Sequence, residues 1–375
     1  MNMQQNARKK QKSSWPIQTL KRRLGQLMMI GFDSTYLNKD EISFIKKVDP
    51  AGVIYFRRNL DSPEQSLALS QEVWQHFATP PFIGIDQEGG RVERLSKPFT
   101  HFPGNQALGQ SYEKTQSPKL ARQQINAICR QLKSIGVNLD FSPVADIHTN
   151  PKNPIINDRA FASTQKTTSN LVGLSVDSFN QNNIISCAKH FPGHGDTLLD
   201  SHLALPSVDT SLKTLMQREL KPFIRAIAYK VPMIMTAHIV YSAIDPHNMA
   251  TLSPFFLQTL LRKRLGYEGL IVSDDLEMHA VAKNKNLSSA AVEALNAGVD
   301  LLLVCKSLQE SENVYNAIVN ALEQKTLDPL RLQASIERVL HCKRRFRLHA
   351  PQKNLSQHTW PQHDYLAEKI QKVAN

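Results

Sequence analysis

Short apolar, β-branched runs recur along the chain, with longer amphipathic stretches between them. The runs are 26–32, 51–56, 81–86, 137–144, 184–190, 232–238, 269–274 and 299–304, eight in all. Each is six to eight residues long and unbroken, as expected of strands buried on both faces. The stretch 117–136 places Leu120, Ile125, Ile128, Leu132 and Ile135 at helical spacing and ends on a glycine. The stretch 253–266 opens on Ser-Pro and stops at Gly266, the signals of a helix start and end. Similar helical patterns lie near 63–77, 166–181, 212–229, 287–297 and 309–322.

Strands alternating with helices predict a parallel sheet, and eight of them predict a single (β/α)₈ barrel. A doubly wound open sheet is the alternative. The expected organisation is a basic N-terminal extension at 1–18, a barrel domain at 19–348 and a C-terminal tail at 349–375. The tail holds a short helical pattern, DYLAEKIQKV. A barrel demands that chemistry sit where strands end and loops begin. The polar residues fall there: Asp86, Asp146, Lys189, His190, His238 and Asp274 each end or follow a run.

Composition narrows the class. The chain has 375 residues, 41% hydrophobic and 21% charged, the balance of an ordinary globular protein. No apolar run approaches the ~18 residues of a membrane span, and the basic N-terminus is followed by no signal-type apolar segment. The four cysteines are widely spaced and mostly sit in apolar runs, which reads as free thiols in a reducing, cytoplasmic setting. Net charge is +12, with clusters at both ends of the chain. The basic runs lack interleaved aromatics, so a specific nucleic-acid partner is not expected.

Three stretches carry candidate chemistry. KHFPGHGDTLLDSH, 189–202, holds three histidines and two aspartates. His190, His194, Asp196, Asp200 and His202 could converge on a metal, although their spacing matches no zinc signature. Alternatively Asp200 and His202, two apart on a loop, could form an acid/base pair in which the carboxylate orients the imidazole. A plain polar loop is also open. In GLIVSDDLEMHAV, 269–281, an apolar strand runs into adjacent carboxylates that point to opposite faces. Asp275 suits a helix N-cap, which leaves Asp274 for the barrel mouth. In IGIDQEGGRVERL, 83–95, Asp86 ends a strand before a double glycine, and Arg91 and Arg94 follow. This spacing is not a dinucleotide fingerprint. Arg159, in NDRAF, is a weaker candidate by itself.

KHFPGHG…DSH, with DQEGGRV upstream and a strand ending SDD downstream, resembles the family 3 glycoside hydrolases. It is most similar to their bacterial β-N-acetylglucosaminidase branch, the enzymes of cell-wall recycling. The resemblance covers roughly residues 20–345. It implies a retaining mechanism with a covalent intermediate and no cofactor or metal. Carried over, Asp274 is the nucleophile, His202 the general acid and base, and Asp200 its partner. Asp86, Arg94, Arg159, Lys189 and His190 would hold the terminal N-acetylglucosamine. His194 receives no role. The implied substrate is a murein-derived saccharide, GlcNAc-1,6-anhydro-MurNAc with or without peptide, met by a monomer that does not insert into membranes. The competing readings are a metal-dependent barrel hydrolase and a non-catalytic sugar- or nucleic-acid-binding protein.

Overall fold

The computed structural model describes residues 14–197, 205–282, 285–355 and 360–375. Eight strands close into one barrel: Met28–Ile30, Gly52–Tyr55, Phe82–Ile85, Leu139–Asp140, Ile185–Phe191, Met233–Thr236, Leu270–Asp275 and Leu301–Val304. They are named first to eighth below. Every pairing is parallel, and the first strand pairs with the eighth through Met28↔Leu302 and Ile30↔Val304. That closure rules out the open doubly wound sheet. Each strand coincides with one of the eight apolar runs, and the fifth and seventh extend one residue past theirs.

Alternation along the strands explains why those runs are unbroken. Met29, Phe82, Leu139, Ile185, Cys187, Met233, Leu270 and Leu301 point inward and pack on one another. Their neighbours Met28, Val53, Ile83, Ile234, Ile271 and Leu302 point outward and pack beneath the helices. Both faces of every strand are dry, so neither selects polar residues. All four cysteines are free and buried.

Helices Pro63–His76, Lys119–Ser134, Gln165–Gln181, Leu287–Ala297 and Leu308–Glu323 occupy the predicted stretches. Helix Lys119–Ser134 buries Leu120, Ile125, Ile128 and Leu132 as the spacing requires. The stretch 212–229 divides into Leu212–Gln217 and Leu220–Ala228, and Phe255–Arg264 is wound with π spacing. Three of the longer helices were not anticipated. Lys39–Val48 begins on a capping box between Asn38 and Glu41. Asn105–Thr115 lies in the long connection after the third strand. Pro329–Arg345, capped by Asp328, closes the strand-N-terminal end of the barrel: Val339, Cys342 and Phe346 join the interior cluster. Beside this plug the Lys343 ammonium donates to Gln26 Oε1 at 2.8 Å and stands 5.0 Å from the Phe82 ring centroid. Burial lowers its pKa to about 7.

The segment read as a C-terminal tail contains helix Trp360–Ala374, which packs on Asn105–Thr115 and Lys119–Ser134. Ile370 is fully buried there, and Lys114 Nζ donates to the Ala374 carbonyl at 2.8 Å. At the other end of the chain, the Trp15 N–H donates to Gln333 Oε1 at 2.9 Å.

Phe346 is the largest side chain that helix Pro329–Arg345 and its C-cap contribute to the barrel interior. Phe346→Ala should lower the unfolding free energy by about 3–5 kcal/mol in denaturant titration. A loss below about 1 kcal/mol would mean that this residue does not plug the barrel.

Candidate active site

The C-terminal strand ends converge on a cleft of about 470 Å³. Asp86, Arg94, Arg159, Lys189, His190 and Asp274 all line it. Asp200 and His202 lie outside the described residues. A larger cleft, about 830 Å³, opens at the other end of the barrel beside helix Pro329–Arg345. It lacks a convergent set of carboxylates, and it is remote from every strand C-terminus, so the smaller cleft is the candidate site.

The double glycine shapes one wall. Gly89 and Gly90 have φ of +88° and +61°, and a Cβ on Gly90 would come within 2.8 Å of Gly104 Cα. Only glycine fits this turn. It folds the chain back so that the Glu88 N–H donates to the Val92 carbonyl at 3.0 Å. Gln87 Oε1 then accepts from the Arg94 N–H at 2.9 Å. Arg94 thereby returns to Asp86, eight residues earlier.

A buried ion network results. Lys189 Nζ stands 2.7 Å from Asp86 Oδ1 and 2.7 Å from Glu88 Oε1. Arg94 Nη2 donates to Asp86 Oδ2 at 3.1 Å. Arg159 clasps Glu88 with Nε at 2.9 Å and Nη2 at 2.8 Å, a bidentate pair. Lys189 and Glu88 are 2% and 1% exposed, while Asp86 and Arg94 are 16% and 25% exposed. The first pair is the foundation and the second pair faces the cleft. Burial works to raise the Asp86 pKa, but Lys189 and then Arg94 outweigh it and hold the carboxyl well below the usual range. Glu88 is likewise pushed up by burial and brought down to about 2, mainly by Arg159 and Lys189. For Lys189, burial disfavours the charge and the two carboxylates more than restore it.

Glu88 was missed in the sequence, where it read as part of a turn. Asp146 was noticed at a strand end but given no work. It accepts from His190 Nδ1 at 2.7 Å and from the His194 N–H at 2.6 Å. The first bond turns the other ring nitrogen of His190, Nε2, toward Arg159 Nη2, 3.5 Å away. His194 also lines the cleft; its Nδ1 bonds Thr197 Oγ1 at 2.8 Å. Burial, then the neighbouring His190, lowers its pKa to about 4, so it stays neutral. His238 is buried and spans Thr251 Oγ1 and the Asp275 carbonyl, at 2.9 and 3.1 Å. It holds the backbone of the seventh strand's end. Arg91 does not reach the cleft floor: its Nε donates to Asp158 at 2.7 Å, next to Arg159.

Both adjacent aspartates line the cleft, so the expected separation between them shows only in their hydrogen bonds. Asp274 lines the cleft and accepts from the Asp275 N–H at 2.8 Å. Asp275 Oδ1 accepts from the Glu277 N–H at 3.1 Å. It caps a turn over 276–278, and the following helix begins only at His279. Burial pushes the Asp275 carboxyl up to about 7. Among the described residues, no three His, Cys, Asp or Glu side chains are placed to share a metal ion. Asp196, one candidate ligand, is paired with Arg218 at 2.6 Å.

The chain resembles known proteins over most of its length. The model of the glycosyl hydrolase family 3 N terminal domain matches residues 19–342. Beta-hexosaminidase A of Pseudoalteromonas piscicida is 36% identical over 333 residues, 82% of this chain and 56% of that protein. This chain thus spans little more than half the length of that relative. The beta-hexosaminidase of Haemophilus influenzae (strain ATCC 51907) is 35% identical over 294 residues, 78% of this chain and 82% of that protein. A family 3 β-N-acetylglucosaminidase from Paenibacillus superposes with a TM-score of 0.89 at 37% identity, over 95% of this chain and 68% of that one. NagZ from Neisseria gonorrhoeae superposes with a TM-score of 0.78 at 26% identity, over 93% and 98%. With the match running from just ahead of the first strand to the helix that plugs the barrel, the chain belongs to glycosyl hydrolase family 3, as a glycoside hydrolase related to enzymes named β-hexosaminidase.

Proposed function

We propose that the chain is a retaining exo-β-N-acetylglucosaminidase. It removes terminal β-linked N-acetylglucosamine from peptidoglycan fragments, GlcNAc-1,6-anhydro-MurNAc with or without its peptide, and works in the cytoplasm as a monomer. The observation that carries this reading is the placement of Asp274. Its carboxylate lies at the C-terminal end of the seventh strand, in the same cleft as the Asp86 network, which follows the third strand, four positions round the barrel. A sugar ring between them meets hydrogen-bonding groups on one side and a nucleophile on the other. The names of the relatives support the same substrate class.

Asp86 accepts from sugar hydroxyls with a carboxylate whose orientation Lys189 and Arg94 fix. Arg94 and Arg159 donate to others. Lys189 has spent two of its three protons on Asp86 and Glu88, which leaves one. His190 offers Nε2. In the first step an Asp274 oxygen attacks the anomeric carbon. The bond to the leaving oxygen breaks as His202, oriented by Asp200, protonates that oxygen. In the second step His202 takes a proton from water, the water oxygen attacks the anomeric carbon, and the bond to Asp274 breaks. Two inversions retain the β configuration. A histidine suits both steps because it titrates near neutral pH and can give and retake a proton. Neither step is routed through a metal or organic cofactor.

Asp274→Ala should lower kcat/KM on an aryl β-N-acetylglucosaminide by on the order of 10⁴-fold or more, with the wild type unaffected by chelator. The matching aryl β-glucoside should be a poor substrate for both. Cleavage that survives the substitution, or that stops with chelator, would contradict the assignment.

Asp275 makes a second, pH-resolved prediction. Its pKa is raised from 3.8 to about 7 by burial, so the folded protein binds a proton in this window that the unfolded chain does not. The group's contribution to stability is therefore greatest below 3.8, falls as pH rises toward about 7 and is level above it. Asp275→Asn removes that dependence. The melting temperature of the variant, relative to wild type, should climb between pH 4.5 and 7, roughly the window set by the two pKa values. A constant difference across that range would show that Asp275 does not titrate there.

A further inference from the structure

The cleft occupies the strand-C-terminal end of the barrel, and the other end carries a different chemistry. Lys46 and Lys47 stand in the last turn of helix Lys39–Val48, ahead of the second strand. Arg130 and Lys133 stand in the closing turns of Lys119–Ser134, ahead of the fourth. Lys263 and Arg264 close Phe255–Arg264, ahead of the seventh. All six are exposed. Arg344 and Arg347 flank Phe346, the barrel plug, and are exposed as well.

The carboxylates on this face are largely committed. Asp49 accepts from Thr79 Oγ1 at 2.6 Å, Glu323 pairs with Lys21 at 2.6 Å, and Asp300 is buried between Arg262 and Arg338. Glu268 stands exposed among the cations. Cations at helix C-termini complement the helix dipole. Arg130 is engaged by the His363 ring, its Nη2 3.0 Å from His363 Nε2. The dipole accounts for one cation at each helix end, and not for the pairs closing Lys39–Val48 and Phe255–Arg264 or for Arg347 beyond the closing helix.

The charges surround the face instead of following a track. A nucleic-acid strand is matched by a stripe of cations with bases stacked on aromatics. A plane of anionic headgroups is matched by a disc. At the rim the half-buried Trp15 has the Arg23 guanidinium 5.3 Å from its ring centroid, and Ile17, on the adjoining helix, is 45% exposed. An indole beside cations suits the boundary between lipid and water. We propose that the strand-N-terminal face is a peripheral docking surface for a bilayer rich in anionic phospholipid, with the catalytic cleft turned away from it. No described helix is long and apolar enough to cross a membrane, so the attachment is electrostatic and is weakened by salt.

The test is co-sedimentation of the full chain with vesicles of equimolar phosphatidylglycerol and phosphatidylcholine, at low and high salt, against phosphatidylcholine alone. The combined variant Lys133→Gln, Lys263→Gln, Arg264→Gln, Arg344→Gln runs in parallel. Wild type should pellet with the anionic vesicles and be released by salt. Each cation near such a surface is worth roughly fivefold, so the variant should partition at least about tenfold less. Its melting temperature and its hydrolysis of a soluble aryl substrate should match wild type, because none of the four residues lines the cleft. Equal binding to neutral vesicles, undiminished binding by the variant, or displacement from vesicles by a duplex oligonucleotide of equal charge would overturn the proposal.

Discussion

The candidate site rests on one ammonium group. Lys189 Nζ sits between Asp86 and Glu88 in a space closed to solvent, 2.7 Å from each carboxylate. Glu88 in turn locks Arg159, and Asp86 holds Arg94. A buried charge with one partner removed is strongly destabilising, by about 3–5 kcal/mol, so these five residues stand or fall together. The opposite charges offset one another, which lets three cations and two anions survive at the mouth of an otherwise apolar barrel. The surplus donors and acceptors point into the cleft already oriented. A ligand there meets fixed dipoles and need not organise them, which is the condition for strong electrostatic assistance.

The barrel supplies what the network needs. The third, fifth and seventh strands deliver Asp86, Lys189 and Asp274 to one rim because all eight run parallel. The turn at Gly89 and Gly90 returns Arg94 to Asp86, and Asp158 steadies Arg91 beside Arg159. His238 ties the Asp275 carbonyl, and with it the end of the seventh strand, to Thr251. The opposite end is sealed by Phe346 and its helix, which leaves that surface without catalytic demands and open to a different role.

Much of this was legible in the sequence, for identifiable reasons. Strands wetted on neither face write themselves as unbroken apolar runs, so all eight stood out. Asp86, Lys189, His190 and Asp274 stood out because polar groups at strand ends break that pattern abruptly. Glu88 did not, because it follows two positions after Asp86 in what reads as a glycine turn. Its purpose appears only when Arg159, 71 residues later, closes on it. Arg159 was a weak candidate for the same reason: an arginine on a loop is usually solvated, and only the fold buries this one. Asp146 needed His190 and His194 beside it before its role was visible. Helix Pro329–Arg345 was overlooked because its outward face is strongly basic, which masks the inward stripe of Val339, Cys342 and Phe346.

The account's central claim is that Asp274 becomes covalently bonded to the sugar. The most direct measurement is to trap that species with a slowly turned-over fluorinated N-acetylglucosaminide bearing a good leaving group, digest the protein and locate the adduct by mass spectrometry. The account predicts a single added glycosyl group on the peptide carrying Asp274. An adduct on another carboxylate, or steady turnover with no adduct and an inverted first product, would contradict it.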